Sequence, residues 1–364
     1  MKKDTTKQMN SRTSVIGLDL ADVRSTFAGL DDAGDIVEEG KVAMSRAQLE
    51  KEFGRRPPSR IALEAGTHSR WVCRLLQALG HEAIVANPRQ VALISRNRRK
   101  SDRLDAITLA RLVRSDPELL RPITHRGEQA QQDLAVLCSR DALVCVRTQL
   151  INHARGVVKS FGERLPKCSA RSFHHKAAAA LPPALCPALA PVIEQIAQLS
   201  GQIDAYDKKI KRLIEDDYPE AGVLQQPNGV GPITSLAYAL TLEDPARFAR
   251  SRDVAAYLGL TPGRRQTGAS DPELHITKAG DAFLRRLLVQ AAHYILGPFG
   301  TDCDLRRWGL RLIGAPTGKG NKQRRKRAVV ATARKLAVLL HALWTTGETY
   351  DPLRQANRPH KEAA

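Results

Sequence analysis

Apolar positions along the chain change their period twice, and those changes mark out its parts. After a polar start over residues 1–13, Val15, Ile16 and Leu18 open the segment SVIGLDLADVRSTFAGLDDAG, which reads as two strands joined by a short turn. Asp31-Asp32-Ala33-Gly34 supplies the next turn, and IVEEGKVAM reads as a third strand. SRIALEAG (59–66) reads as a short buried strand. SRWVCRLLQALG then reads as a helix stopping at Gly80, HEAIVANP as a strand ended by Pro88, and KSDRLDA as a helix start. Three strands followed by strand, helix, strand, helix predict an α/β sheet with helices packed on it.

From about residue 126 the period becomes helical. Leu134, Leu137, Val144 and Ile151 recur near heptad spacing, and Leu189, Ile193, Ile196, Leu199, Ile203, Ile210 and Leu213 form a second stripe. Between them, 163–190 carries Pro166, Pro182, Pro183 and Pro187 and reads as a loop or hinge. Two long helices around a proline-rich turn predict an antiparallel coiled-coil arm over 126–220, with a helical linker bundle as the alternative. A second compact, mainly helical domain is expected over 221–350, before a polar tail at 351–364. It opens on QQPNGVGPITSLAYAL, where Gly229-Val230-Gly231 sits between apolar helical segments as in a helix-hairpin-helix. Such a turn can offer backbone N–H groups to a DNA phosphate or serve as a plain tight turn.

Charge narrows the class of partner. Lys and Arg number 57 against 38 Asp and Glu, a formal net charge of +19, which predicts a polyanion such as nucleic acid. Six cysteines (Cys73, Cys138, Cys145, Cys168, Cys186, Cys303) form no CxxC pair and no Cys/His cluster of zinc spacing, as suits a reducing cytosol. No run of about 18 apolar residues is evident, and the start MKKDTTKQMNSRTS lacks an apolar core for secretion. The expectation is a cytoplasmic protein without a membrane partner.

Candidate chemistry lies in four carboxylates. Asp19 ends the first strand, Glu64 ends the strand ALE, and Asp102 and Asp105 lie in KSDRLDA at a helix start. Carboxylates at the ends of apolar strands are costly unless neutralised, and an i, i+3 pair on a helix puts both groups on one face. Oxygen ligands of this kind suit Mg²⁺, as a two-ion site for phosphodiester chemistry. Flanking Arg96, Arg98, Arg99, Lys100 and Arg103 would draw a phosphate backbone toward the acids. The bland alternative is strand-end acids, a capping aspartate and a solvated basic face. Asp22, Asp31 and Asp32 sit in turn-like sequence and are expected to be solvated.

These motifs together resemble the DEDD-type insertion-sequence transposases of the "one-ten" family. GLDL, ALEAGTHS and KSDRLDA match the N-terminal half, and GVGPITS, YLGLTP, ITKAGDAFLRRLLVQAA and ILGPFGTDCDLRRWG match the C-terminal half. The resemblance implies an RNase H-like, Holliday-junction-resolvase-like domain over 14–125 holding Asp19, Glu64, Asp102 and Asp105. It also implies a serine nucleophile before a glycine in the C-terminal domain, forming a covalent link to DNA. Here GLTPGRRQTGASDPEL puts Thr267 at that position, before Gly268, with Ser270 three residues on. A threonine hydroxyl can be a nucleophile, although its methyl restricts rotamers and crowds the attack.

The family further implies strand exchange without ATP, a homodimer or homotetramer, and in some members a structured noncoding RNA that guides DNA choice. Lys278, Arg285, Arg286, Arg306 and Arg307, and the run Lys319, Lys322, Arg324, Arg325, Lys326, Arg327, are candidate phosphate contacts. His68, His275 and His293 lack metal-triad spacing and read as structural. Two other functions compete: a metal-dependent junction-resolving nuclease in which water attacks and Thr267 is inert, and a nucleic-acid-binding copy that has lost its chemistry.

Overall fold

The computed structural model describes residues 14–88, 101–268, 270–272, 274–314 and 321–354. The chain divides into two compact units, Met1–His125 and Arg126–Ala364.

In the first unit the strands are β1 (Val15–Asp19), β2 (Arg24–Leu30), β3 (Ile36–Ala43), β4 (Arg60–Glu64) and β5 (Glu82–Ala86). They form one sheet in the order β3-β2-β1-β4-β5. The first three are antiparallel neighbours, whereas β1, β4 and β5 run parallel. Alternation splits the side chains between two faces. Ile16, Leu18, Ile61 and Leu63 pack with Leu49 and Phe53 of α1 (Arg46–Phe53) and Val72 and Leu76 of α2 (Ser69–Ala78). Val15 and Ala62 face the other way, against Leu109 and Val113 of α3 (Asp102–Ser115).

The hydrophobic pattern gave no warning of α1. Only Leu49 and Phe53 are buried in it, too few for a visible stripe. Ser45 nevertheless accepts a hydrogen bond from the Gln48 N–H, and the spacing Ser-x-x-Gln is a capping-box signal.

The second unit is helical. The long helices α4 (Glu128–Ser160) and α6 (Cys186–Asp216) run antiparallel. Leu137 shares a core with Ile210, Arg140 pairs with Asp207, Arg147 reaches Ser200, and Ile151 packs with Ile196, so one number rises as the other falls. The segment read as a loop holds a short helix, α5 (Phe173–Ala179), whose Phe173 and Ala177 are buried at that end of the pair.

Next come α7 (Pro219–Val223), α8 (Pro232–Leu242), α9 (Ser251–Tyr257), α10 (Ala282–Ile295), α11 (Asp304–Ile313) and α12 (Asn321–Thr346). All nine residues Thr234–Leu242 of α8 are buried, and a helix apolar all round belongs inside a core. Tyr238 there is fully buried, donates a hydrogen bond to the Ala337 carbonyl at 2.7 Å, and has its phenol pushed well above the usual range by burial. Buried Asp133 accepts from Tyr218 at 2.7 Å and from Gln129 at 2.9 Å, tying α4 to the start of α7.

One helix bears on the expectation that no run of about 18 apolar residues is present. Within α12, Lys322–Thr346 has the length and composition to cross a membrane, and half of its most apolar window is buried inside the protein. Val329, Ala333, Leu336, Ala337 and Leu340 supply that burial to the core of the second unit.

One glycine sets the first unit's architecture. A Cβ on Gly17 would lie 2.0 Å from the Ala106 carbonyl oxygen and 2.5 Å from the Ala110 nitrogen. Gly17→Ala should therefore destabilise the protein by about 3 kcal/mol or more, since backbone cannot give way as a side-chain tip can. Gly66→Ala, at a position with open space around it, should stay within about 0.5 kcal/mol. Urea unfolding of both variants checks the contrast; equal stabilities would overturn the packing account.

Candidate metal and nucleic-acid sites

The register of the sheet gathers the first two carboxylates. Leu18 pairs with Leu63 across the parallel β1–β4 ladder, so Asp19 and Glu64 follow side by side at the strands' C-terminal ends. Neighbouring strands lie ~4.8 Å apart. Alternation puts Asp19 on the face of Val15 and Gly17, and Glu64 on the face of Ala62, which is the face covered by α3.

The direction of α3 brings the other two to the same end. Val15 clusters with Val113 and Leu109, while Gly17 meets Ala110 and Ala106. Going up β1 therefore means going backward along α3, toward Asp105 and Asp102 in its first turn. Ser101 caps that turn by accepting from the Leu104 N–H at 3.3 Å. The cap is thus a serine, which leaves both aspartates without the capping role. Asp19, Glu64 and Asp105 are half-buried and Asp102 is exposed. The positive end of the α3 dipole favours anions here by ~0.3–1 kcal/mol each.

Glu64 and Asp102 have no hydrogen-bond or ion-pair partner among the described residues. Among those residues, too, no three His, Cys, Asp or Glu side chains are grouped so as to hold a metal ion. The four acids thus share one end of one face without forming a closed ligand cage. Arg103, expected to meet phosphate, is engaged by Glu39 at 2.8 Å. Arg96, Arg98, Arg99 and Lys100 lie outside the described residues, as does Lys319.

Sequence reading missed one pair at this edge. His68, in the turn after β4, meets Asp22, in the turn after β1, at 3.2 Å and accepts from the Trp71 indole N–H at 3.1 Å. Asp22 follows Asp19 by three residues and His68 follows Glu64 by four, so the two strand ends that carry the acids also carry this pair. The signal was available in the spacing once the strands were known to be neighbours.

In the second unit, Pro227–Val230 is a tight turn closed by the Val230 N–H on the Pro227 carbonyl at 3.1 Å. Gly229 needs to be glycine there: its φ is +98°, and a Cβ would stand 3.1 Å from Ile295 and 3.3 Å from the Ala291 carbonyl. Gly231 precedes α8 with no side-chain cap and open space around it. The helix before the turn, α7, is only five residues long.

Thr267 lies at the tip of an exposed hairpin-like excursion. At its base Thr277 N–H bonds the Thr261 carbonyl and Gly263 N–H bonds the His275 carbonyl, both at 2.9 Å. At its tip Thr267 and Ser270 exchange backbone hydrogen bonds of 3.0 Å, with Gly268 at φ +56° between them. The Thr267 hydroxyl has no hydrogen-bond partner among the described residues, and the side chain is exposed.

The basic candidates divide by how they are engaged. Arg285 donates to the carbonyls of Leu258 and Ala279 at 2.9 and 2.7 Å, clasping the base of the excursion. Lys278 holds that base through its backbone, at φ +54° with its N–H on the Gly259 carbonyl. Arg286 pairs with Asp141, Arg307 pairs with Asp302, and Arg306 holds the carbonyls of Ile295 and Gly297. Lys322, Arg324, Arg325, Lys326 and Arg327 are exposed along the first turns of α12.

Comparison with known proteins matches two stretches of the chain, the first of which runs from the first unit into the second. A family described as "Transposase", the DEDD transposases of IS110, matches residues 16–162, and one described as "Transposase IS116/IS110/IS902 family" matches 221–298. The chain is 30% identical to a protein of Pseudomonas aeruginosa named "Probable family 20 transposase", over 93% of this chain and 99% of the relative. It is 29% identical to the transposase for insertion sequence element IS1328 of Yersinia enterocolitica, over 84% of this chain and 90% of that one. The transposase for insertion sequence element IS1111A of Coxiella burnetii is 26% identical, over 92% and 91%. The chain therefore belongs to the IS116/IS110/IS902 family of transposases, which are DNA-cleaving and recombining enzymes.

Proposed function

We propose that this chain cleaves and exchanges DNA strands at the ends of an insertion sequence, using a carboxylate metal site and a hydroxyl nucleophile. Asp19, Glu64, Asp102 and Asp105 are the metal-binding residues, in a domain of RNase H-like arrangement, and Thr267 is the nucleophile. The observation that carries the reading is the convergence of the four acids: two on adjacent strand ends, two on the first turn of the helix that covers that face. A sheet of three antiparallel strands extended by two parallel ones supports the RNase H-like assignment.

Donor chemistry fits a hard divalent ion such as Mg²⁺, which takes a few carboxylates and completes its shell with water and phosphate oxygens, although the four acids form no closed ligand set among the described residues. Bound in a two-ion site, it would neutralise charge on the scissile phosphate and favour an ionised attacking oxygen. The chain's own part is to hold the carboxylates at the mouth of a helix dipole and to present a hydroxyl. Attack of the Thr267 oxygen on phosphorus would form a phosphothreonyl ester as one bridging P–O bond breaks, the hydroxyl proton passing to water and the displaced strand end leaving as a hydroxyl that takes a proton back. Such an ester conserves the energy of the phosphodiester, so strands can be resealed without ATP.

DNA contact is best supported at α12. Five cations in its first turns, with no acid in the first turn, oppose the helix dipole and each other. A phosphate backbone reverses the sign of that cost. The same charge, within a total of +19, would accommodate a structured guide RNA beside the DNA. The replacement of serine by threonine favours one second reading, a resolving nuclease in which water attacks.

Incubating the full chain with Mg²⁺, element-end DNA and a transcript of the element's ends should yield a covalent protein–DNA adduct on denaturing gels. Peptide mapping should place it on Thr267, and Thr267→Ala should abolish it. Nicked DNA formed equally well by Thr267→Ala would establish the nuclease reading instead. Asp102→Asn and Asp105→Asn should each lower cleavage by about 100-fold or more while leaving DNA affinity nearly unchanged; full cleavage by both would remove the metal site. Replacing Arg324 and Arg325 by Ala should flatten the salt dependence of duplex binding, by about 0.9 in log–log slope for each phosphate left unneutralised.

A further inference from the structure

One cavity in the second unit is lined neither by the four acids nor by Thr267. It is an open groove of about 960 Å³ where α4 and α6 meet the start of α8 and one face of α10. Its walls are single helical stripes: Arg140, Asp141, Val144, Cys145 and Thr148 on α4, and Asp204, Asp207, Lys208 and Lys211 on α6. Its floor is apolar, made by Leu137, Ile210, Ile233 and Leu287.

Charge on the rim is arranged with a surplus. Asp141, Asp204 and Asp207 are each already held, by Arg286 at 2.6 Å, Arg171 at 3.0 Å and Arg140 at 2.6 Å. Lys208 and Lys211, exposed one helical turn apart, have no ion-pair partner among the described residues. Outside the groove's lining, Arg147 of α4, close enough to feel Arg140, Asp204 and Asp207, buries its Nε without an acceptor. Five cations lining the groove thus stand against three acids. At the end of the groove a Cβ on Gly231 would meet nothing within 4 Å, so the backbone there is open to an occupant.

We infer that this groove holds an unpaired segment of a nucleic-acid strand, with bases over the apolar floor and phosphates on Lys208 and Lys211. Packed protein interiors leave few voids larger than water, and pockets of ~300–1,000 Å³ with apolar floors and a few polar groups are those that take small organic groups. A lone phosphate would leave the floor uncovered. A duplex would bring phosphates to the rim but keep its bases stacked inside, whereas a single strand can turn them onto a protein surface. The cationic rim disfavours a basic partner, including the α12 end of a second copy. This inference rests on the reading of the chain as a nucleic-acid enzyme and names one place where a strand is held.

Cys145 on the wall is an exposed free thiol, and Cys186, also exposed, lies outside the groove. Maleimide alkylation of the full chain, followed by peptide mass mapping, reads both at once. A mixed-sequence single-stranded oligonucleotide at about ten times its Kd should slow alkylation of Cys145 about tenfold and leave Cys186 unchanged. Lys208→Ala with Lys211→Ala should remove that protection and lower the salt slope of single-strand binding by about 0.7 per lysine.

The Asp102→Asn variant should keep full protection of Cys145, so failure of the catalytic reading leaves this result standing. Unprotected Cys145 under saturating oligonucleotide overturns the inference. Equal protection by a duplex of the same length overturns the single-strand assignment. Protection without nucleic acid that grows with protein concentration would show a second copy in the groove, and would overturn it too.

Discussion

The first unit depends on the direct seating of helix backbone on strand backbone at Gly17. With 2.0 Å between the position of a Cβ there and the Ala106 carbonyl, α3 cannot approach β1 if any side chain intervenes. Ala106 and Ala110, both fully buried, are the matching small residues on the helix. This contact fixes the rotation and the axial position of α3 together. Asp105 precedes Ala106 directly, and Asp102 lies one turn before it, so the same contact sets both at the end of the sheet where β1 and β4 carry Asp19 and Glu64. A shift of one residue along the helix would turn the acids away by about 100°. Stability and the acidic site are therefore two readings of one packing constraint.

The acids themselves oppose this arrangement. Four carboxylates at one end of a face repel, and a helix dipole returns only ~0.3–1 kcal/mol per charge. Comparable tension appears in the second unit, where the basic residues opening α12 sit at the wrong end of their helix dipole. The remainder of α12 compensates: Ala333, Leu336, Ala337 and Leu340 are fully buried, and the Tyr238 hydroxyl bonds its backbone. In both units an apolar core of ordinary quality holds in place a terminus whose charge is unfavourable in isolation. Each strained terminus has the sign that its proposed ligand would relieve, a cation at α3 and a polyanion at α12.

Much of this was legible in the sequence because the signals were local. Short apolar runs bounded by turn residues gave the strands, heptad spacing gave α4 and α6, and the i, i+3 acids in KSDRLDA fell in the first turn of α3 as read. What was hidden depended on long-range pairing. The adjacency of Asp22 and His68 follows from β1 and β4 being parallel neighbours, which no local pattern specifies. Arg285 reads as a surface cation on a basic helix, yet its partners are the carbonyls of Leu258 and Ala279. The arm read as two helices and a hinge, but the groove where it meets α8 required the fold. The helix after the basic run was legible too, as α12, whereas the share of its apolar surface that is buried in the core required the fold.

Thr267 is where local structure and chemistry pull against each other most clearly. Its backbone sits at the extended first position of a turn, bonded reciprocally to Ser270, and β-branched residues favour extended backbone. The positive φ falls on Gly268, where glycine tolerates it. Threonine is thus structurally at ease where the resemblance expects serine. Its methyl costs access to phosphorus, but it also confines the hydroxyl to fewer rotamers, so less entropy is lost when the oxygen is aligned for attack. In an exposed tip, where no other described group orients the hydroxyl, that stiffness is the only local source of preorganisation. In the proposed attack the substitution therefore exchanges reach for order, and the rate of adduct formation would depend on which of the two limits the approach to phosphorus.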